Sequence, residues 1–94
     1  MKMKVNVMLF GQLKALDQGQ TQMCEVHENT TLDHLLGDVV GEREPALAEI
    51  IFDGQGRLQS SLIVLLNDRP VNKEQPCVLK DGDRLMLIPA IAGG

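Results

Sequence analysis

Tryptophan and tyrosine are absent from this 94-residue sequence, and phenylalanine occurs twice, at Phe10 and Phe52. The core is therefore expected to be aliphatic, and the aromatic platforms on which bases or sugars stack are missing. Basic residues are few, nine against thirteen acidic ones, for a net charge of −4. Because the nine are scattered along the chain, it lacks the electrostatic footprint of a nucleic-acid binder, which leaves proteins or small molecules as partners. Cysteine is limited to Cys24 and Cys77. Without CxxC spacing or a second cluster, they argue against a zinc site and a secreted disulfide scaffold, and two buried thiols are the expectation. Long apolar runs are missing too. No segment approaches the ~20 apolar residues of a membrane span, and Asn6, Gly11, Gln12 and Lys14 interrupt what would be a signal sequence after Met1-Lys2-Met3-Lys4. A cytosolic protein with no membrane contact is expected. Catalytic constellations are equally scarce, with no Ser-His-acid arrangement that sequence can flag and no HExxH. His34, between Leu32 and Leu35, reads as a solvated or edge residue rather than a metal ligand. The glycines of Phe52-Asp53-Gly54-Gln55-Gly56-Arg57 lack phosphate-binding spacing and mark a turn.

The chain has the length of one domain. Lys4 to Phe10 alternate, with Val5, Val7 and Leu9 on one face and Lys4, Asn6, Met8 and Phe10 on the other, which is the pattern of a half-buried strand. The second face turns from polar to apolar along its length, marking Met8 and Phe10 as a candidate exposed patch. Residues 11–20 read as a connection, and Thr21 to His27 as a second, weakly alternating strand in a hairpin with the first. Thr30 with Asp33 has the form of a helix start. Leu32, Leu35, Leu36, Val39 and Val40 then form one helical apolar stripe, with Gly37 inside it and Gly41 as a stop. Pro45 suits the first position of a second short helix, which would begin near Glu44 and run through Ile51. Leu62 to Leu66 is an apolar run of strand length, expected to be an inner strand apolar on both sides. Asn67 to Pro70 reads as a turn, followed by a short extended piece from Val71. After the turn Lys80-Asp81-Gly82-Asp83, the last strand alternates Leu85 and Leu87 against Arg84, Met86 and Ile88. The economical packing is α+β: a helix across one face of a mixed sheet, with a right-handed crossover bringing a later strand parallel to the first.

Pro89 closes that last strand, because it has no N–H to give a sheet. Five residues follow it, none charged, and the chain ends Ala92-Gly93-Gly94. Extended, they carry the terminal carboxylate about 16–18 Å past the domain. Residues 1–89 are thus expected to form a compact handle, with 90–94 a free tail.

Strand order, the Asp81-Gly82-Asp83 turn, Pro89 and the terminal Ala92-Gly93-Gly94 resemble the MoaD/ThiS family of ubiquitin-like sulfur carriers. Phe10-Gly11-Gln12-Leu13 and Leu66-Asn67 add to the likeness. The resemblance implies a β-grasp fold with a mixed four- to five-stranded sheet, one main helix on one face and a short second helix. It also implies that partners run the chemistry. An activating enzyme adenylates Gly94 with ATP, a sulfur donor converts the acyl-adenylate to a thiocarboxylate, and a synthase takes the sulfur. Gly93 and Gly94 would pass a narrow channel closed to any Cβ, while Met8, Phe10, Met86, Ile88, Ile91 and Ala92 would meet the partners. The stretch from Glu44 to Ile51 points within the family to the small subunit of molybdopterin synthase, with the large subunit as acceptor. Ala90 stands where many such tails carry a second proline, which leaves carriers for thiamine, cysteine or another pathway open. A modifier joined through Gly94 to lysines is also open, although Ala90-Ile91-Ala92 lacks the basic residues of ubiquitin's tail.

Overall fold

The computed structural model describes residues 1–17, 23–40 and 45–89, with backbone only at 16–17 and 38–40. The helix stop expected at Gly41, the helix start at Glu44 and the whole tail from Ala90 to Gly94 lie outside the described residues. Five strands form one mixed sheet: β1 (Lys2–Leu9), β2 (Met23–His27), β3 (Leu62–Leu66), β4 (Arg69–Pro70) and β5 (Arg84–Pro89). Their spatial order is β2-β1-β5-β3-β4, so the last strand in sequence is the middle of the sheet. β5 runs parallel to β1, from Asn6↔Arg84 to Leu9↔Leu87, and antiparallel to β3, from Leu66↔Leu85 to Leu62↔Pro89. The helices are α1 (Gly11–Asp17), α2 (Leu32–His34) with its π-helical continuation Leu35–Val40, and α3 (Pro45–Ile51). This is the β-grasp arrangement that the resemblance implies.

The alternation in β1 has its expected effect: Met3, Val5, Val7 and Leu9 are buried. They join Leu85 and Leu87 of β5, Leu62 and Val64 of β3, and Leu32, Leu35, Leu36, Leu47 and Ile51 from the helical side in one aliphatic core. Strand β2 alternates more cleanly than its residue types suggest, because Cys24 and Val26 both turn inward.

Four local expectations are corrected. Residues 11–17 form α1 rather than a connection. Gly11 begins it at φ +57, the Leu13 N–H donates to the Phe10 carbonyl, and the fully buried Leu13 anchors the turn to the core. The cap of α2 is Thr31 rather than Thr30, its hydroxyl oxygen accepting from the His34 N–H at 3.3 Å. The Asn67–Asp68 turn is only two residues long, with φ +52 and +70, the type I′ geometry that matches strand twist. It leaves Arg69 and Pro70 as β4, where Pro70 is tolerated because the strand is an edge. Finally, Leu62–Leu66 lies inside the sheet but is not buried on both sides, since Ile63 is 48% exposed.

The turn before β5 is tied on two sides. Lys4 N–H donates to the Asp81 carboxylate at 2.8 Å, and Gly82, at φ +87, donates its N–H to the Lys4 carbonyl. The buried Asp83 accepts from Asn67 Nδ2 at 2.9 Å and from the Lys80 N–H at 2.8 Å, while Asn67 Oδ1 accepts from the Arg84 N–H. These bonds fix where β5 enters the sheet, and hence where it leaves. On the other side, Lys73 Nζ donates to the carbonyls of Gln59, Ser60 and Leu62 and holds the approach to β3. Lys73→Met strands those acceptors and is expected to lower stability by about 1–2 kcal/mol, the lower part of the charged hydrogen-bond range because the site is partly exposed. The check is a urea titration at constant m-value.

Candidate functional site

Residues opposite one another in neighbouring strands share a face, so the registers define the side of the sheet away from the helices. Met8 lies beside Met86, Met86 beside Leu65, and Ile88 beside Ile63. Met8 is 37% exposed, and Leu65, Met86 and Ile88 are half-buried without packing on the core. These five side chains form a contiguous apolar patch that the sheet does not cover. The patch occupies the end of the open face at which β5 finishes. There Leu62↔Pro89 is the last pair of the ladder among the described residues, and Gly11 comes so near that a Cβ on it would lie 3.6 Å from Pro89 Cγ. Pro89 therefore stands at the apolar end of the face.

Of the expected partner-contact residues, the structure brings Met8, Met86 and Ile88 together. Phe10 follows directly after β1, half-buried, with its N–H donating to the Leu87 carbonyl at 3.1 Å. Ile91, Ala92, Gly93 and Gly94 lie outside the described residues. Ile63 and Leu65 belong to the patch and were missed, because a continuous apolar run hides its alternation. Pairing Ile63 with Ile88 would have assigned the face, but sequence does not supply the register.

Elsewhere the chemistry is sparse. Cys24 is buried. Cys77 is only half-buried, against the expectation of two buried thiols, and burial pushes its thiol up, with the Asp83 and Asp33 carboxylates adding to the rise. A thiol kept neutral in this way is a poor nucleophile. A shallow groove of about 700 Å³ lies on the helical side, lined by Asp33, Asp53, Arg57 and Lys73 among others. Its one lysine is already engaged by carbonyls, and the N–H groups of Arg57 and Gln55 hold the Asp53 carboxyl below its usual range. Among the described residues, no group of three or more His, Cys, Asp or Glu side chains is placed to hold a metal ion. Also among these residues, no helix is long and apolar enough to cross a membrane.

The ThiS family profile matches residues 7–94. The solution structure of the Haloferax volcanii HVO 2177 protein superposes with a TM-score of 0.81 at 22% identity, over 99% of this chain and 88% of that one. The crystal structure of SAMP1 from Haloferax volcanii gives 0.74 at 25% identity, covering 100% of both chains. A chain of the Amycolatopsis orientalis BexX/CysO complex gives 0.69 at 25% identity, over 96% of this chain and 99% of that one. No match is found among curated proteins. The profile runs from the middle of β1 to the final glycine, and solved chains of nearly the same extent share the β-grasp sheet; this chain therefore belongs to the ThiS/MoaD family of ubiquitin-like small sulfur carriers and modifiers.

Proposed function

We propose that this protein is a sulfur carrier whose working group is the carboxylate of Gly94. The observation that carries the reading is the family match extending through Gly93 and Gly94, five residues past the Pro89 that closes the sheet beside the apolar patch. An α-carboxyl with a pKa of about 3.3–3.7 is an unreactive anion at neutral pH and needs a better leaving group. In an activating enzyme, a Gly94 carboxylate oxygen attacks the α-phosphorus of ATP, pyrophosphate leaves, and an acyl-adenylate forms. A hydrosulfide equivalent from the sulfur donor attacks the carbonyl carbon and the bond to AMP breaks, leaving a thiocarboxylate. A synthase passes that sulfur to its acceptor, and water restores the carboxylate. Met8, Phe10, Met86 and Ile88, with Ile63 and Leu65, seat the partner, while Ile91 and Ala92 line the threaded tail.

Among acceptors we favour a molybdopterin-type synthase, a reading supported by α3, which falls within the Glu44–Ile51 stretch that sets this chain apart from shorter carriers. The likeness to SAMP1 favours a second reading, conjugation of Gly94 to lysines of other proteins. One experiment separates the two. Incubated with its adenylating enzyme, a sulfur donor and ATP, the intact chain is expected to gain the mass of replacing one oxygen by sulfur, localised to Gly94. Isopeptide-linked Gly94 on target lysines without the sulfur species supports the modifier, and neither product overturns both. Met86→Asp, placing a charge in the centre of the patch, is expected to lower kcat/KM for sulfur loading about 10–100-fold with the fold intact. The acceptor is identified by which synthase consumes the thiocarboxylate.

A further inference from the structure

Methionine is unevenly placed in this fold. Of the five, Met3 is buried in the core and Met1 is exposed at the first position, whereas Met8, Met23 and Met86 share the open face of the sheet. Met8 and Met86 stand opposite one another in the parallel ladder of β1 and β5, one strand spacing of about 4.8 Å apart. Leu65 flanks Met86 on its other side, and Ile63 with Ile88 completes the patch. The two thioether sulfurs are therefore the only side-chain heteroatoms in the patch, the only points at which adding an atom makes it polar. Met8 is exposed and Met86 half-buried, and neither packs on the core, so both side chains are open to a small oxidant. Met23 is exposed too, but it stands beside Asn6 on the edge strand, outside the patch. The thiols are placed elsewhere: Cys24 is buried, and Cys77 is half-buried and held neutral.

We propose that Met8 and Met86 form a reversible oxidation site, at which hydrogen peroxide converts the paired thioethers to sulfoxides and thereby weakens sulfur loading. The proposal rests on the carrier reading and adds regulation of its partner-binding patch. In each oxidation a sulfur lone pair attacks one peroxide oxygen, the O–O bond breaks, an S–O bond forms and water leaves. Sulfur loses two electrons and the peroxide gains them. Methionine sulfoxide reductases reverse the change, one enzyme for each sulfur epimer, with two thiols of a reductant giving up two electrons and the oxygen leaving as water. A flexible apolar side chain thus becomes polar and chiral. Each S–O group would have to be stripped of water on burial against a partner's apolar atoms, which is unfavourable without a donor to meet it. The core lies on the opposite face and keeps its packing. The effect therefore falls on KM rather than on kcat or folding, because association is weakened while the tail and its carboxylate are untouched.

The test oxidises the full chain alone. Peroxide is added and then destroyed with catalase, reversible cysteine products are returned with dithiothreitol, and sulfoxides are located by peptide mass mapping. Met8 and Met86 are expected to gain one oxygen each at least about 5-fold faster than the buried Met3. The treated chain is then loaded by its purified adenylating enzyme with ATP and a sulfur donor. KM is expected to rise about 10-fold with kcat within about 2-fold, and to return to within about 2-fold of its starting value after both sulfoxide reductases have acted. The melting temperature should move by less than about 3 °C. Variants are judged by the ratio of treated to untreated KM, each against its own untreated sample. Met8→Leu combined with Met86→Leu, volume-conserving changes, should bring that ratio below about 2, and Met23→Leu should leave it near about 10. Oxidation of the pair no faster than that of Met3, an unaltered KM once both carry oxygen, a rise that the reductases do not reverse, or a rise that persists in the double variant overturns the proposal. Loading of the untreated wild-type chain leaves the carrier reading standing in each case, and its absence overturns both.

Discussion

Removal of Gly94 is expected to leave a folded protein that no longer acquires sulfur. The separation is expected from the sheet, since the described part of β5 runs to Pro89 and the described core residues all precede it. Thermal melting of the shortened chain should agree with that of the intact one within about 2 °C. Reach changes instead. One residue fewer withdraws the terminal carboxylate by about 3.3–3.6 Å, and reacting atoms must approach to about 3–3.5 Å with orbitals aligned. The expected loss is at least about 100-fold in loading rate, read as disappearance of the sulfur-bearing mass. Gly93→Val tests the channel separately. It keeps the length but adds a β-branched side chain with restricted φ and χ1, and should give a comparable loss. Loading of the shortened chain at the wild-type rate would remove Gly94 from the mechanism, and loading of Gly93→Val at that rate would remove the narrow channel.

The second large effect is on stability. Leu87 is fully buried in the central strand, in register with Leu9 on one side and Val64 on the other. Leu87→Ala removes buried methyl groups at a point where two neighbouring strands hold the backbone fixed, so the cavity collapses little. The expected cost is about 3–5 kcal/mol, a large part of the roughly 5–15 kcal/mol available to a domain of this kind. With a urea m-value of about 1–3 kcal/mol/M, the midpoint should fall by about 1–3 M. A fall of less than about 0.5 M would mean that β5 is not the packed centre of the sheet.

The elements legible in the sequence were those in which one physical signal is repeated. β1 and β5 announce themselves because core and open faces alternate over several residues, and α2 with its π-helical continuation because Leu32, Leu35 and Leu36 recur at helical spacing. Pro89, expected to close the sheet for want of an N–H, is the last described residue of β5. What stayed hidden depended on contacts distant in sequence or on very short elements. α1 is held by one buried residue among its described side chains, Leu13, and a positive-φ glycine, and neither makes a periodic pattern. β4 is two residues long and exists through its pairing with β3. Met8, Met86 and Ile88 could be proposed from their own strands. Ile63 and Leu65 join the patch only through registers to β5.

The position of β5 also sets the order in which the domain can come into being. A ribosome synthesises the middle of the sheet after both of its flanking strands, and the Asn6↔Arg84 pairing spans most of the chain. Until β5 emerges, β1 and β3 each present an unsatisfied edge toward the same gap, and loop closure over such a separation must precede the contacts that reward it. A nascent chain halted before Arg84 therefore has no half-domain to rest in and exposes two sticky edges, a target for chaperones. Completion of the fold and emergence of the segment after Arg84 are consequently one event, so on the carrier reading proposed above an activating enzyme would meet Gly94 only on a finished domain.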